Sequence, residues 1–270
     1  MRPFEAGRRV YLVFGAHLLG EEAADALLKD LEEPPEYAVI VLVADELGPL
    51  PPTIVSRCQR IPFRRLSLAA IRAYLGSRGV AGGELEALAR VAGGRLDRAE
   101  RLLDPEAGAR RRALVELARS TYLDAEFDAR AAANLVGELA SDRAAAARAG
   151  AESLEVPDET ARQAELRANR AAFGAEREEV LDALDFISSW YRDLVVVAAG
   201  AAGAVQNSDR LADLESDALS ERSVPAERAA EACRELWRNY EELNLQQSLA
   251  LEALFITLRR EFGTGLLAPA

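Results

Sequence analysis

Residues 10–14 (VYLVF), 21–33 (EEAADALLKDLEE) and 38–44 (AVIVLVA) decide the reading of this chain. The first and third are short, almost continuous apolar runs rich in Val, Ile and Leu, the pattern of strands buried on both faces of a parallel sheet. Between them Ala23, Ala24, Leu27, Leu28 and Leu31 fall on one helical stripe, with acids in the first turn and Pro34-Pro35 ending the helix. The three runs make one β–α–β unit. A turn of helix at 53–57 and a third short strand at 59–63 are expected to follow it. Two parallel strands and one crossover helix leave sheet faces uncovered, so this unit is expected to be part of a larger layer.

From Leu66 onward the period changes to 3.6. Leu68, Ile71 and Leu75 outline one short helix, Leu85, Leu88, Ala89 and Ala92 a second that ends at Gly93-Gly94, and Leu96, Ala99 and Leu102-Leu103 a third that ends before Pro105. Helices are then expected at 110–123 and 127–149, with a break at Pro157-Asp158. A charged stretch at 158–182 runs into a stripe through Leu181, Leu184, Ile187 and Tyr191. One last long helix is expected over 225–262, through Ala229, Cys233, Leu236, Tyr240, Leu243, Leu251, Leu254 and Leu258. The fold class is therefore α/β plus all-α: residues 1–65 as a partial sheet unit, 66–105 as a three-helix module and 106–270 as a helical bundle.

Composition narrows the function. In 270 residues, half hydrophobic, 45 acids against 33 bases give a net charge of −12, which disfavours a freestanding nucleic-acid binder that works by neutralising phosphates. Two distant cysteines, Cys58 and Cys233, and one histidine, His17, build no Cys/His zinc site. Residues 1–9 have no signal-peptide pattern, and the apolar stretch 194–205 falls short of the roughly 18–20 residues of a membrane span, so a cytoplasmic protein with reduced thiols is expected. No GxxxxGK[ST] phosphate loop occurs, and the sole lysine, Lys29, lies in the crossover helix.

The string AADALLKDLEEPP at 23–35, followed by a hydrophobic strand and then LPPTIVSRC at 50–58, resembles the AAA+ core of bacterial clamp-loader subunits. In that family the Ser-Arg-Cys arginine is a finger that reaches a neighbouring subunit's ATP. The resemblance gives this role to Arg57, with Ser56 and Cys58 completing the interface motif. A guanidinium suits the task because it donates to the spread charge of a transferring phosphoryl group without a proton equilibrium. Read for itself, Cys58 is a small buried residue that begins the next strand. Active members end the first strand in an acidic pair that holds Mg²⁺. Here the degenerate positions read Phe14-Gly15, and His17 is a turn residue at the strand end. The sensor positions after the second strand read Ala44-Asp45, and the sensor-2 segment, Gly93 to Arg98, carries Asp97 at its usual arginine position. No nucleotide or metal site is therefore expected on this chain.

A finger without hydrolytic acids looks like the delta prime, or stator, type of subunit. The similarity continues through the string ALDFISSWYRDL at 183–194 and through Asn244-Leu245 to 251–254. It implies a 66–105 lid, a 106–270 collar and a role in loading the sliding clamp on primed DNA during replication. The implied partners are gamma/tau and delta subunits, which carry the ATP and Mg²⁺. The family's degenerate phosphate-loop half is expected on a segment upstream of Met1, and zinc could be held only by a module on such a segment. The alternative is a gamma/tau-like ATPase or branch-migration motor with its nucleotide site on such a segment. Trp190 and Tyr191 are read as core, and the acids at 176–179 as a solvated face.

Overall fold

In a computed structural model of the chain, residues 7–263 are described apart from 45, 46, 49, 105, 157, 158 and 244. Asp45, Pro105, the Pro157-Asp158 break and Asn244 thus lie outside the described residues. The chain divides into two compact units, 1–64 and 65–270.

The first unit holds β1 (Arg9–Val13), a 3-10 turn (Ala16–Leu18), α1 (Glu21–Glu32), β2 (Ala38–Leu42) and α2 (Pro52–Arg57). The strands pair in parallel, with Arg9 opposite Ala38, Tyr11 opposite Ile40 and Val13 opposite Leu42. The β–α–β unit follows from the sequence period, and α1 stops at the Pro34-Pro35 pair, which cannot continue it. Its buried hydrophobics are Ala16, Ala24, Leu50 and Ile54.

Two expectations are corrected here. The strands are not buried on both faces: Val10, Leu12 and Phe14 are exposed, and β2 is half-buried for most of its length. Among the described residues the sheet has only these two strands, which is too few to sandwich a face. Residues 59–63 have no regular structure, and Phe63 is 94% exposed. With no adjacent strand offering a ladder, this segment, Gln59 to Phe63 with Pro62 lacking an N–H, has no backbone partner to order it.

The second unit is entirely helical. It comprises α3 (Leu68–Ser77), α4 (Gly82–Val91), α5 (Leu96–Arg101), α6 (Ala107–Leu123), α7 (Ala129–Glu152), α8 (Ala161–Ala198), α9 (Leu211–Asp217), α10 (Ser223–Glu242) and α11 (Gln247–Gly263). Helix starts follow local chemistry. Ser67 accepts the Ala70 N–H, Asp128 those of Arg130 and Ala131, and Thr160 forms a reciprocal capping box with Gln163. At the far end of α8, Gly200 at φ 77° closes a Schellman turn: its N–H and that of Ala201 bond Val197 and Val196 carbonyls. A single hydrophobic cluster runs from Ile71 and Leu75 of α3 through Leu114 of α6 and Trp190 and Tyr191 of α8 to Phe255 of α11. The reading of Trp190 and Tyr191 as core agrees with their complete burial.

The expected single helix over 225–262 is two helices. Leu243, in an extended conformation, ends α10, and α11 turns back. The break follows from packing: α10 lies on α8 and α11 on α7, whereas an unbroken helix at 1.5 Å per residue would carry Leu251, Leu254 and Leu258 away from the bundle.

Buried polar ties hold residues 202–222, which include α9, against the bundle. Asp193, fully buried, accepts the N–H groups of Gln206 and Asn207 at 2.9 and 2.7 Å and the Asn207 side-chain amide at 2.9 Å. Asn207 in turn accepts from Arg111, which also grips Asp209 through both terminal nitrogens at 2.7 and 2.8 Å. Asp217 accepts from Arg119 at 2.8 Å and from the Tyr122 hydroxyl at 2.9 Å, and Tyr122 accepts from Trp190 Nε1 at 2.9 Å.

Candidate functional site

The two strings that carry the family resemblance meet in the first unit. α2 starts with Pro52 at its first helical position, where a missing N–H costs nothing. The buried Leu50 and Ile54 anchor this short helix, which packs against α1. Ser56 Oγ donates to the Thr53 carbonyl at 3.0 Å. Arg57, the last helical residue, donates from Nη1 to the same carbonyl at 3.0 Å and from Nη2 to Glu32 Oε1 at 2.6 Å. The Arg57 side chain is 37% exposed and that of Glu32 is 52% exposed. A pair so open to water adds at most about 1 kcal/mol to stability, so its effect is geometric.

Cys58 follows α2 directly, half-buried and in no strand, which corrects its reading as a buried strand residue. Nothing packs a third strand beside it, so its side chain remains partly solvated.

Phe14 and Gly15 lie where β1 ends. Phe14 is 73% exposed, and Gly15, at φ 65°, turns the chain into the 3-10 turn that contains His17. The left-handed conformation suits glycine, and the Ala16 N–H bonds the Val43 carbonyl at 2.9 Å. These two side chains offer no oxygen ligand to a hard cation. Among the described residues, no group of three His, Cys, Asp or Glu is placed to hold a metal ion.

In the second unit Gly93 and Gly94 adopt φ of 59° and 80°, and Arg65 Nη1 donates to the Gly93 carbonyl. Asp97 is bound by Arg95 at 2.7 Å and Arg101 at 3.1 Å; partial burial would lift its pKa, but these cations bring it down to about 2. The neighbouring Arg98 is turned inward, bonded to Asp185 at 2.8 Å and stacked on Phe186 at 4.3 Å. Arg101 reaches Asp182 at 2.8 Å. Both therefore tie α5 to α8. The acids at 176–179 are not simply a solvated face. Glu178 is exposed, but Glu179 is buried, and desolvation raises its pKa despite Arg110 at 3.7 Å. The helical period of α8 turns every third or fourth residue of such a run inward.

Sequence reasoning selected Arg57, Ser56 and Cys58 but missed Glu32. The only available signal was its place in the LEEPP string, since 25 residues separate it from Arg57.

Residues 1–67 match the family model described as DNA polymerase III, delta subunit. The chain is 39% identical over 102 residues to DNA polymerase III subunit tau of Bacillus subtilis (strain 168), covering 36% of this chain and 18% of that protein. It is 40% identical over 67 residues to subunit tau of Escherichia coli (strain K12), covering 25% and 10%. Over 73 residues it is 38% identical to subunit gamma/tau of Mycobacterium tuberculosis (strain CDC 1551 / Oshkosh), covering 27% and 13%. The chain thus spans less than a fifth of the length of these relatives. Among the described residues, no helix is long and apolar enough to cross a membrane. The family model, over residues 1–67, and the named relatives support a likeness to the clamp-loader subunits of DNA polymerase III without dividing the delta from the gamma/tau type.

Proposed function

We propose that the chain is a stator subunit of the delta prime type in a bacterial clamp loader, acting in DNA replication. It hydrolyses no ATP itself. It donates Arg57 to the ATP site of a neighbouring gamma/tau subunit, and with gamma/tau and delta it opens the sliding clamp and places it on primed DNA. ATP and Mg²⁺ belong to the partners. As the neighbour's γ-phosphoryl group transfers, charge spreads over its oxygens, and guanidinium N–H groups stabilise that charge while staying protonated. One observation carries the reading: Arg57 stands at the exposed end of α2 with its guanidinium held by two bonds, while the strand that would carry hydrolytic acids ends in Phe14-Gly15. Tight packing of one large helical unit fits a chain that assembles through its collar.

The named relatives favour a second reading, a gamma/tau-like ATPase. One reconstitution separates the two. With gamma/tau and delta subunits, Arg57→Ala should leave assembly intact by gel filtration and lower DNA-dependent ATP turnover and clamp loading, with losses on the order of 10³ to 10⁵ possible at a single site. The fall in total turnover is smaller because the other sites retain their own fingers. Arg57→Lys should not rescue, since an ammonium lacks the planar fork. Wild-type turnover in the Arg57→Ala complex would sink the finger assignment. Steady turnover by the isolated chain would favour the ATPase.

A further inference from the structure

We infer that Glu32 is a positioning residue for Arg57, which gives the LEEPP string a task in a neighbour's ATP hydrolysis. The inference rests on the finger reading of Arg57 and deepens it.

An arginine at the end of a six-residue helix has four rotatable side-chain bonds and, left alone, samples many orientations. The Thr53 carbonyl one turn back accepts from Nη1 at 3.0 Å, which on its own lays the side chain along α2. Glu32 comes from a different element, the last turn of α1, and draws Nη2 to 2.6 Å. Two anchors on one rigid planar group fix its plane and its direction. They use two of the five N–H donors of the guanidinium and leave three for a ligand. Glu32 is itself well fixed, because Glu33 ends α1 immediately before Pro34-Pro35 and α1 packs on α2. An ion pair this exposed is too weak to hold the arginine back from a triphosphate. It narrows the orientations from which the finger engages, the kind of preorganisation on which phosphoryl transfer depends.

The test uses the complete reconstituted clamp loader and reads the Arg57-dependent share of ATP turnover, defined as the difference between wild type and Arg57→Ala. Glu32→Ala should remove more than half of that share through kcat, with KM for ATP changed by less than twofold. Glu32→Gln, which keeps an acceptor oxygen, should retain most of it. On the Arg57→Ala background, Glu32→Ala should change nothing further. Gel filtration and thermal melts check assembly and folding, and the glutamine variant keeps the comparison informative if the alanine variant assembles poorly. Full turnover in Glu32→Ala, or turnover above wild type, would overturn the positioning role. So would a fall that persists without Arg57. A complex in which Arg57→Ala itself has no effect would instead refute the finger reading.

Discussion

Removing the Asp193 carboxylate should be among the most damaging single changes in the helical unit. The side chain is fully buried and accepts four bonds from residues 206 and 207, two of them from the Gln206 N–H at 2.9 and 3.1 Å. Asp193→Ala strands the N–H of Asn207, itself fully buried, and the half-buried Gln206 N–H, and leaves the Asn207 side-chain amide only its 3.2 Å bond to Ser189 Oγ. An unsatisfied buried donor costs about 1–3 kcal/mol. One full penalty and two reduced ones, by solvent at Gln206 and by the Ser189 bond at the Asn207 amide, give about 2–4 kcal/mol, since some water will enter the vacated space. For a unit of this size each kcal/mol shifts Tm by about 2–4 °C, so a fall of roughly 4–16 °C is expected. Circular dichroism at 222 nm against temperature measures it. Asp213→Ala, which removes a partly exposed carboxylate paired with Arg210 and Arg119, serves as the control and should shift Tm by less than 3 °C. A shift equally small in Asp193→Ala would show that the 202–222 segment does not hang on this carboxylate.

Gly94→Ala places a Cβ 2.6 Å from the Leu66 carbonyl oxygen and 2.9 Å from Arg65 Cβ, at φ 80°. It should cost about 2–4 kcal/mol, whereas Gly76→Ala, inside α3 with open space around it, should be neutral or stabilising in the same melts. Acidification should act through Glu86, whose pKa hydrogen bonds from Arg72 and Arg90 lower to about 2. A carboxylate depressed on folding contributes stability present above its unfolded value near 4.5 and lost as pH falls toward 2. Tm should therefore decline over that window in the wild type and decline less in Glu86→Gln; equal declines would refute the contribution. Glu179, with its raised value, acts in the opposite sense, its stabilisation fading as pH rises.

What could be read in advance followed the strength of local signals. The β–α–β unit and the helices from Leu68 to Ser77 and from Gly82 to Val91 were legible because apolar period, glycines and prolines all agree. The strand expected at 59–63 failed because strand formation depends on a neighbour's ladder, which the local sequence Gln59 to Phe63 does not encode. The split between α10 and α11 failed for a related reason: the apolar stripe resumes at Leu251, eight residues after Leu243, and the break is forced by where α7 and α8 lie. Residues 202–222 were assigned no element, since much of their order comes from charged and amide groups whose partners lie on α6 and α8. At the candidate site the same division holds. Arg57 was visible as part of a local string, and Glu32 was not, because only the packing of α1 on α2 brings the pair together.

The ties of α6 have a consequence for how the protein is made. Arg111 is buried against Asp209, and Arg119 reaches Asp217, in each case a partner 98 residues further along the chain. At about 5–20 residues per second, the ribosome needs roughly 5–20 s to produce the second member of each pair after the first. During that interval Arg111 lacks the carboxylate that accompanies it into the core, and Arg119 has only the exposed Glu116 of its own helix at 3.4 Å, so the inner face of α6 is better left in water. Docking of α6 is thereby deferred until residues 207–217 clear the exit tunnel. A nascent chain stalled before residue 205 should then leave α6 open to proteolysis, while one stalled well beyond residue 250 should protect it.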